Sequence, residues 1–166
     1  MSLRLSSLST LARTLSILAC IAGATPVVAT EKGLPAGAVP LLAAELYSLY
    51  GGRTWRWGDT GGAYFGIEGR RFIAYSVKDD AKTIAAGKWR ITDKGRLCFV
   101  ADWINATGSH PATTCYLHAA VNGDVYQRSL PNGQWYLFKH AKTQPDDQYS
   151  KLVHEDLVSA NLDNSQ

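Results

Sequence analysis

Cysteine is scarce in this chain of 166 residues, which contains only Cys20, Cys98 and Cys115. So few cysteines exclude a dense disulfide framework. No pair of histidines stands at zinc-finger spacing near them, so a zinc site built from cysteine and histidine is not indicated. The sequence predicts no metal site and no cofactor.

Long apolar runs are also missing, apart from residues 15–24 near the N-terminus. A membrane-spanning helix needs about 20 apolar residues, so this run is too short to be an anchor. Arg4 and Arg13 accompany it without an acidic residue, and small residues follow as far as Ala29. This order is typical of a secretory signal peptide. We therefore predict a signal over residues 1–29 and an exported protein, periplasmic or secreted.

Cys20 leaves a second interpretation of the same segment open. The sequence Ile17-Leu18-Ala19-Cys20 resembles a lipobox, in which the cysteine becomes the acylated first residue of the mature protein. Lipid chains attached there would hold the protein at a membrane. A lipoprotein anchored through Cys20 is thus the alternative to a free exported domain, and the membrane is a partner only in that case.

A strong charge of one sign is absent too. The chain has 17 basic and 14 acidic residues, a formal net charge of +3. Loss of Arg4 and Arg13 with the signal leaves 15 basic against 14 acidic residues, a net charge of +1. Proteins that bind nucleic acid usually carry a clear basic excess. The sequence therefore predicts no nucleic-acid partner.

Export bears directly on the two remaining cysteines. An oxidising compartment favours a disulfide between a single pair of cysteines. We expect Cys98 and Cys115 to be joined. Closing a loop of this length stabilises a fold by roughly 3 kcal/mol in the chain-entropy model.

What the chain has in abundance, after residue 52, is the signature of β-strands. Aromatic and β-branched residues alternate with polar ones, and turn residues such as Asn122-Gly123 separate the segments. Short turns favour an antiparallel meander that forms a small barrel or a strongly curved sheet, with a two-sheet sandwich as the alternative. The eight predicted strands are 53–57, 63–67, 71–78, 83–92, 97–105, 114–121, 125–130 and 134–140.

These elements make an all-β fold in a single domain over residues 30–140. Leucines at helical spacing predict one N-terminal helix over about residues 40–50, ended by Gly51-Gly52. The segment 141–166 contains no glycine and few aromatic residues. We predict a mobile or weakly helical tail there.

A set of short motifs occurs in a fixed order along the chain. They are Gly52-Arg53-Thr54-Trp55-Arg56-Trp57, Gly62-Ala63-Tyr64-Phe65, Gly87-Lys88-Trp89, Gly95-Arg96-Leu97-Cys98 and Trp135-Tyr136-Leu137-Phe138. Their order resembles a family of exported bacterial proteins known as domain of unknown function 995, over about residues 40–140. The resemblance implies an exported domain and brings no catalytic residues with it.

No catalytic motif emerges from the remaining residues. The chain has no G-x-S-x-G nucleophile sequence, and the Gly58–Gly62 segment is followed by a strand rather than by the helix that a phosphate-binding loop requires. His118 lies in a predicted strand, and no partner stands at a spacing that indicates metal or acid–base chemistry. We predict no catalytic residue, which favours a non-enzymatic role.

Aromatic residues beside the glycine-rich turn supply the candidate binding residues Arg56, Trp57 and Tyr64. Tryptophan and tyrosine combine a large apolar surface with a polar group and are enriched at interfaces. We expect an exported binding module of the cell envelope that engages a protein or a glycan. The alternatives are a lipocalin-like carrier of a small apolar ligand and an inhibitor of an extracellular or periplasmic hydrolase.

Overall fold

The computed structural model describes residues 33–163. The predicted signal over residues 1–29, with Cys20, lies outside the described residues, as do residues 164–166. Within the described range the chain forms ten strands, two α-helices and two short 3-10 helices. The strands and helices are β1 (Val39–Pro40), α1 (Ala43–Tyr50), β2 (Arg53–Arg56), β3 (Gly61–Phe65), β4 (Arg71–Lys78), β5 (Ala81–Ile91), β6 (Arg96–Asn105), β7 (Gly108–Val121), β8 (Asp124–Ser129), β9 (Tyr136–Lys139), β10 (Leu152–Val153) and α2 (Ser159–Asp163).

The strands form one antiparallel sheet that curls into a half-barrel. Its order is β10-β2-β3-β4-β5-β6-β7-β8-β9, and β1 pairs with β7 beside this path. Strands β2 to β9 are therefore neighbours in chain order, which confirms the predicted all-β meander and strongly curved sheet. All eight predicted strands are present, and the short β1 and β10 are additional. A single sheet also rules out the alternative of a two-sheet sandwich.

Two of the hairpins are closed by the tight turns that the sequence indicates. Asn122 and Gly123, between β7 and β8, have φ values of 53° and 86°. Asp79 and Asp80, between β4 and β5, have φ values of 49° and 60°. Positive φ at both central residues matches the twist of the flanking strands, and Asn, Asp and Gly tolerate it best.

Strand β7 begins at Gly108, earlier than the predicted strand over 114–121. Pro111 in its first half is the reason that the sequence pattern did not predict a strand there. Proline lacks the N–H that a central strand must donate. Residues 116–121 of β7 pair with β8, whereas Pro111 pairs only with Asp102 of β6 among the described strands. The first half of β7 is thus an edge, where the missing donor does no harm.

Helix α1 closes one end of the half-barrel. It begins at Ala43, since Pro40 lies in β1, and the Glu45 carboxylate caps it by accepting the Leu42 N–H at 2.7 Å. Its buried residues include Tyr50, which packs among aromatic rings from four strands. The largest side chains of this core are Leu46, Tyr50, Trp55, Phe65, Phe72, Trp89, Phe99 and Phe138.

The two cysteines Cys98 and Cys115 face each other across β6 and β7 and form a disulfide, with their Cα atoms 4.1 Å apart. Their neighbours Leu97 and Phe99 are buried. Because side chains alternate along a strand, the disulfide lies on the convex face of the sheet. The pairing expected from the sequence is the one that the fold contains.

The C-terminal segment crosses the convex face of β2. Thr54 donates its hydroxyl to the Glu155 carbonyl at 2.6 Å and accepts the Leu157 N–H at 3.1 Å. Val158 is fully buried. The segment predicted as a mobile or weakly helical tail thus includes β10 and the short helix α2 up to Asp163. None of the helices within residues 33–163 has the length and apolar character needed to cross a bilayer.

Candidate functional site

A row of small residues on the concave face brings two tryptophans together. Ala63, Ala74 and Ala85 are direct neighbours on β3, β4 and β5, and all three are buried. The same row continues to Trp55 on one side and Trp103 on the other. Alanine side chains occupy little volume on the inside of the curve. The sheet can therefore bend sharply here, and β2 approaches β6.

The approach allows Trp57, which follows β2, to stack on Trp103 of β6. Their ring centroids are 6.2 Å apart and the ring planes are inclined by 23°. Both side chains are half-exposed. Within residues 33–163 neither indole N–H has a hydrogen-bond acceptor. The pair therefore offers aromatic surface and two free donors to solvent.

Two hydroxyl groups lie in the next row outward. Ser76 and Thr83 are direct neighbours on β4 and β5, and Gly61 lies opposite Ser76 on β3. The backbone N–H of Trp57 donates to the Gly61 carbonyl at 2.9 Å, so Trp57 belongs to the same row. Ser76 and Thr83 are half-exposed, and their hydroxyls have no partner in the described part of the chain. We call Trp57, Ser76, Thr83 and Trp103 the aromatic mouth.

The fold separates the three binding residues predicted from the sequence. Trp57 belongs to the aromatic mouth, whereas Arg56 and Tyr64 point to the convex face. Arg56 is 3.5 Å from Asp59, and both line a pocket of about 310 Å³. Tyr64 lines a different groove, together with Asp156. The three residues do not form one surface.

Sequence reasoning missed the partners that Trp57 acquires. Alternation along β6 places Trp103 on the buried side with Phe99 and Ala101, and that pattern is legible in the sequence. What the pattern lacks is the curvature that brings β6 to β2. Ser76 and Thr83 carry no sequence signal beyond their place in strands.

His118 occupies the core, away from the aromatic mouth, and is 1% exposed. Its Nδ1 lies 3.2 Å from the Gly95 carbonyl, which can only accept, so Nδ1 carries the proton. Its Nε2 then accepts the Tyr50 hydroxyl at 2.8 Å. The Tyr50 hydroxyl in turn accepts a hydrogen bond from the side-chain amide of Gln127 at 2.7 Å. The Tyr136 hydroxyl donates to the side-chain carbonyl oxygen of Gln127. One chain of hydrogen bonds thus links helix α1 to three strands and the β5–β6 turn.

Burial keeps the hydrogen-bonded groups of this network uncharged. It lowers the pKa of His118 from 6.5 to about 4, although the Gly95 carbonyl acts in the opposite direction. Burial also raises the pKa of Tyr50 well above its usual value. Both groups are neutral at pH 7, and their polar atoms are satisfied. The arrangement stabilises the core and leaves no reactive group facing solvent.

Metal binding finds no support in the described residues. Nowhere in residues 33–163 do three or more His, Cys, Asp or Glu side chains come together as a metal site requires. The closest acid–histidine contact joins His140 Nδ1 to Asp147 at 2.6 Å. That hydrogen bond is the main cause of a raised His140 pKa, which is the behaviour of an ion pair.

The glycines of the recurring motifs permit close backbone approaches. A Cβ atom on Gly87 would lie 2.0 Å from the Val100 carbonyl oxygen, so only glycine fits between β5 and β6 there. Gly95 has φ of 70° and would meet the His118 carbonyl oxygen at 2.1 Å. Trp89, two residues after Gly87, is fully buried and donates its indole N–H to the Gly66 carbonyl at 2.8 Å. These motif residues build the fold through close backbone contacts and a buried hydrogen bond.

The motifs agree with the comparisons to known proteins. The model of the family described as Protein of unknown function (DUF995) matches residues 18–158. No curated protein and no solved structure matches the chain. Since the match covers most of the sequence, including every motif above, the chain belongs to the DUF995 family.

Proposed function

We propose that this protein is an exported, non-catalytic binding module that holds a glycan of the cell envelope at the aromatic mouth. The observation that carries the proposal is the stacked pair Trp57 and Trp103, whose indole N–H groups are free. The unpaired hydroxyls of Ser76 and Thr83 stand beside it.

The chemistry of these groups suits a sugar. A pyranose ring presents an apolar C–H face, which packs on an indole ring, and a rim of hydroxyls. Indole N–H groups donate to those hydroxyls, and serine and threonine both donate and accept. Each hydrogen bond contributes about 0.5–1.5 kcal/mol after exchange with water, so several are needed together. The aromatic mouth supplies four such groups next to apolar surface.

The interior of the half-barrel supports a carrier function less well. A lipocalin-like carrier needs an apolar cavity inside the barrel. Here Phe72 and Phe99 stack at 4.3 Å between ring centroids, and Phe65 packs edge-on against Phe72 and Trp89. Aromatic rings fill the volume that a ligand would need. No specific contact favours a hydrolase inhibitor.

We propose the periplasm or the medium as the place where the module acts. The Cys98–Cys115 disulfide is consistent with an exported protein, and the N-terminal sequence has the order of a signal peptide. The mass of the N-terminal peptide of the protein isolated from cells tests this. A chain that begins at Thr30 supports a free exported domain, an acylated Cys20 supports the lipoprotein, and an intact Met1 contradicts export by either route.

The glycan proposal is tested by titrating the protein with soluble fragments of envelope polysaccharides and of peptidoglycan while following tryptophan fluorescence. We expect at least one fragment to change the fluorescence and to bind saturably. Trp57→Ala should abolish that binding. The double variant Ser76→Ala with Thr83→Val should weaken it about tenfold, since two hydrogen bonds in the lower half of that range, about 0.7 kcal/mol each, would be lost.

The double variant and a surface control keep the test independent of folding. Thr83→Val preserves side-chain shape, so its near-UV circular dichroism should match that of the original protein. Tyr64→Ala, on the convex face, should bind normally. The proposal is wrong if no fragment binds, or if the double variant and Trp57→Ala bind as tightly as the unchanged protein.

A further inference from the structure

We propose a second binding site, for a small carboxylate with an apolar chain, in a pocket of about 430 Å³ between α1, β2, the β8–β9 strands and the C-terminal segment. Pockets for small ligands commonly measure about 300–1,000 Å³. Along β2 the pocket lies ~13 Å from Trp57, by the rise per residue of a strand. It is therefore separate from the aromatic mouth. Its walls include Leu41, Leu49, Arg53, Val125, Lys139 and Tyr149.

Two cations converge on one aromatic ring in this pocket. The Arg53 guanidinium lies 5.4 Å from the Tyr149 ring centroid and donates to the Tyr149 hydroxyl at 3.1 Å. The Lys139 ammonium lies 5.5 Å from the same centroid. Neither Arg53 nor Lys139 forms an ion pair with any residue of the range 33–163. The ring holds two positive charges close together without a negative charge between them.

The Arg53 side chain also carries an unsatisfied donor. Its Nε is buried and has no hydrogen-bond partner. Buried polar groups without partners are rare in native proteins and call for an explanation. A half-buried charge without a counter-charge also opposes folding. An anion in the pocket would compensate the guanidinium charge, which no ion pair within residues 33–163 neutralises.

One carboxylate, that of Glu45, also lines the pocket. It is already engaged, because it accepts the Leu42 N–H at 2.7 Å and so caps helix α1. Counting it against the two cations leaves one net positive charge. This balance favours an anion with a single negative charge over a doubly charged phosphate.

The remaining walls define the rest of the ligand. Leu41 and Val125 are buried core residues, and Leu49 is half-buried beside them. They offer apolar surface to a ligand whose charged end faces Arg53 and Lys139. Arginine binds carboxylates through paired N–H groups. A short-chain fatty acid combines both features, and hexanoate is a suitable probe.

The test is isothermal titration calorimetry of the full protein with hexanoate, hexanol and inorganic phosphate. We expect hexanoate to bind, and hexanol and phosphate to bind at least about tenfold more weakly. Arg53→Gln and Lys139→Gln should each weaken hexanoate about tenfold, as expected for one charge-assisted hydrogen bond. Arg56→Gln is the matched control, because Arg56 lies on the same strand outside the pocket and already contacts Asp59 at 3.5 Å.

Arg53→Gln also removes a hydrogen bond to Tyr149, so a measurement without variants is needed as well. In the unchanged protein, hexanoate should shift the methyl resonances of Leu49 and Val125 in NMR spectra, and those of Ile104 on the convex face should stay constant. The proposal is overturned if hexanoate does not bind, if hexanol binds equally well, or if phosphate binds in preference. It is also overturned if Arg56→Gln weakens hexanoate as much as Arg53→Gln does.

Discussion

Acid should destabilise this protein through the buried ring of His118. Burial lowers the pKa of His118 to about 4 in the folded state, against an ordinary value of 6.5. Between these two values the unfolded chain binds a proton that the folded chain does not. The free energy of unfolding therefore falls as the pH decreases from about 6.5 to 4. The contribution of His118 is fully present above pH 6.5.

The size of the effect follows from the pKa difference. Each pH unit within this window removes about 1.4 kcal/mol, and the whole window removes about 3 kcal/mol. Small domains have total stabilities of about 5–15 kcal/mol. One buried imidazole would thus account for a large share of the acid sensitivity.

The assay is urea unfolding at a series of pH values from 7.5 to 4 for the original protein and for His118→Gln. Glutamine retains an acceptor for the Tyr50 hydroxyl and does not titrate. His140 acts in the opposite direction, because its raised pKa adds stability below pH 6.5 that is lost as the pH rises. That contribution is common to both proteins. The difference in unfolding free energy between them should therefore fall by about 3 kcal/mol across the window.

A difference that stays constant from pH 7.5 to 4 would refute the reasoning, since His118 would then titrate alike in both states. If His118→Gln does not fold, an NMR titration of the original protein gives the same answer. The ring resonances of His118 should stay almost constant between pH 7 and 5, because its pKa is about 4.

Two further predictions concern the stability of the sheet. Reduction of the Cys98–Cys115 bond, which spans 17 residues, should lower the free energy of unfolding by roughly 3 kcal/mol, and equal urea midpoints with and without reductant would contradict this. Gly87→Ala should destabilise the protein by about 1–3 kcal/mol, because its Cβ would lie 2.0 Å from the Val100 carbonyl oxygen; Ala86→Ser, at the exposed neighbouring position, should leave the urea midpoint unchanged.

Local structure was predictable because its causes are local. An Asn-Gly pair such as Asn122-Gly123 tolerates the positive φ values that a tight hairpin turn requires. Alternating side chains define the faces of a strand by themselves. The strand boundaries in β7 were not predictable in the same way. Whether Pro111 can join a strand depends on whether a neighbouring strand needs its N–H, and the sheet order decides that.

The candidate sites are formed by residues that are far apart along the chain. Arg53 and Tyr149 are 96 residues apart in sequence, and Tyr50 and His118 are 68 apart. Trp57 meets Trp103 only because the sheet bends over three alanines. No local pattern records such contacts, which explains why Arg56, Trp57 and Tyr64 are neighbours in the sequence-based prediction and lie on different surfaces in the fold.

The sequence by itself therefore determined the antiparallel meander, the pairing of Cys98 with Cys115, and the membership of the DUF995 family through its short motifs. The meander and the family motifs follow from residues close together in the chain. The disulfide pairing follows because Cys98 and Cys115 are the only two cysteines after the predicted signal. The tertiary structure alone decided which aromatic and charged groups face solvent together. That decision rests on the curvature of the sheet and on the positions of α1 and the C-terminal segment, which arise from packing across the whole domain.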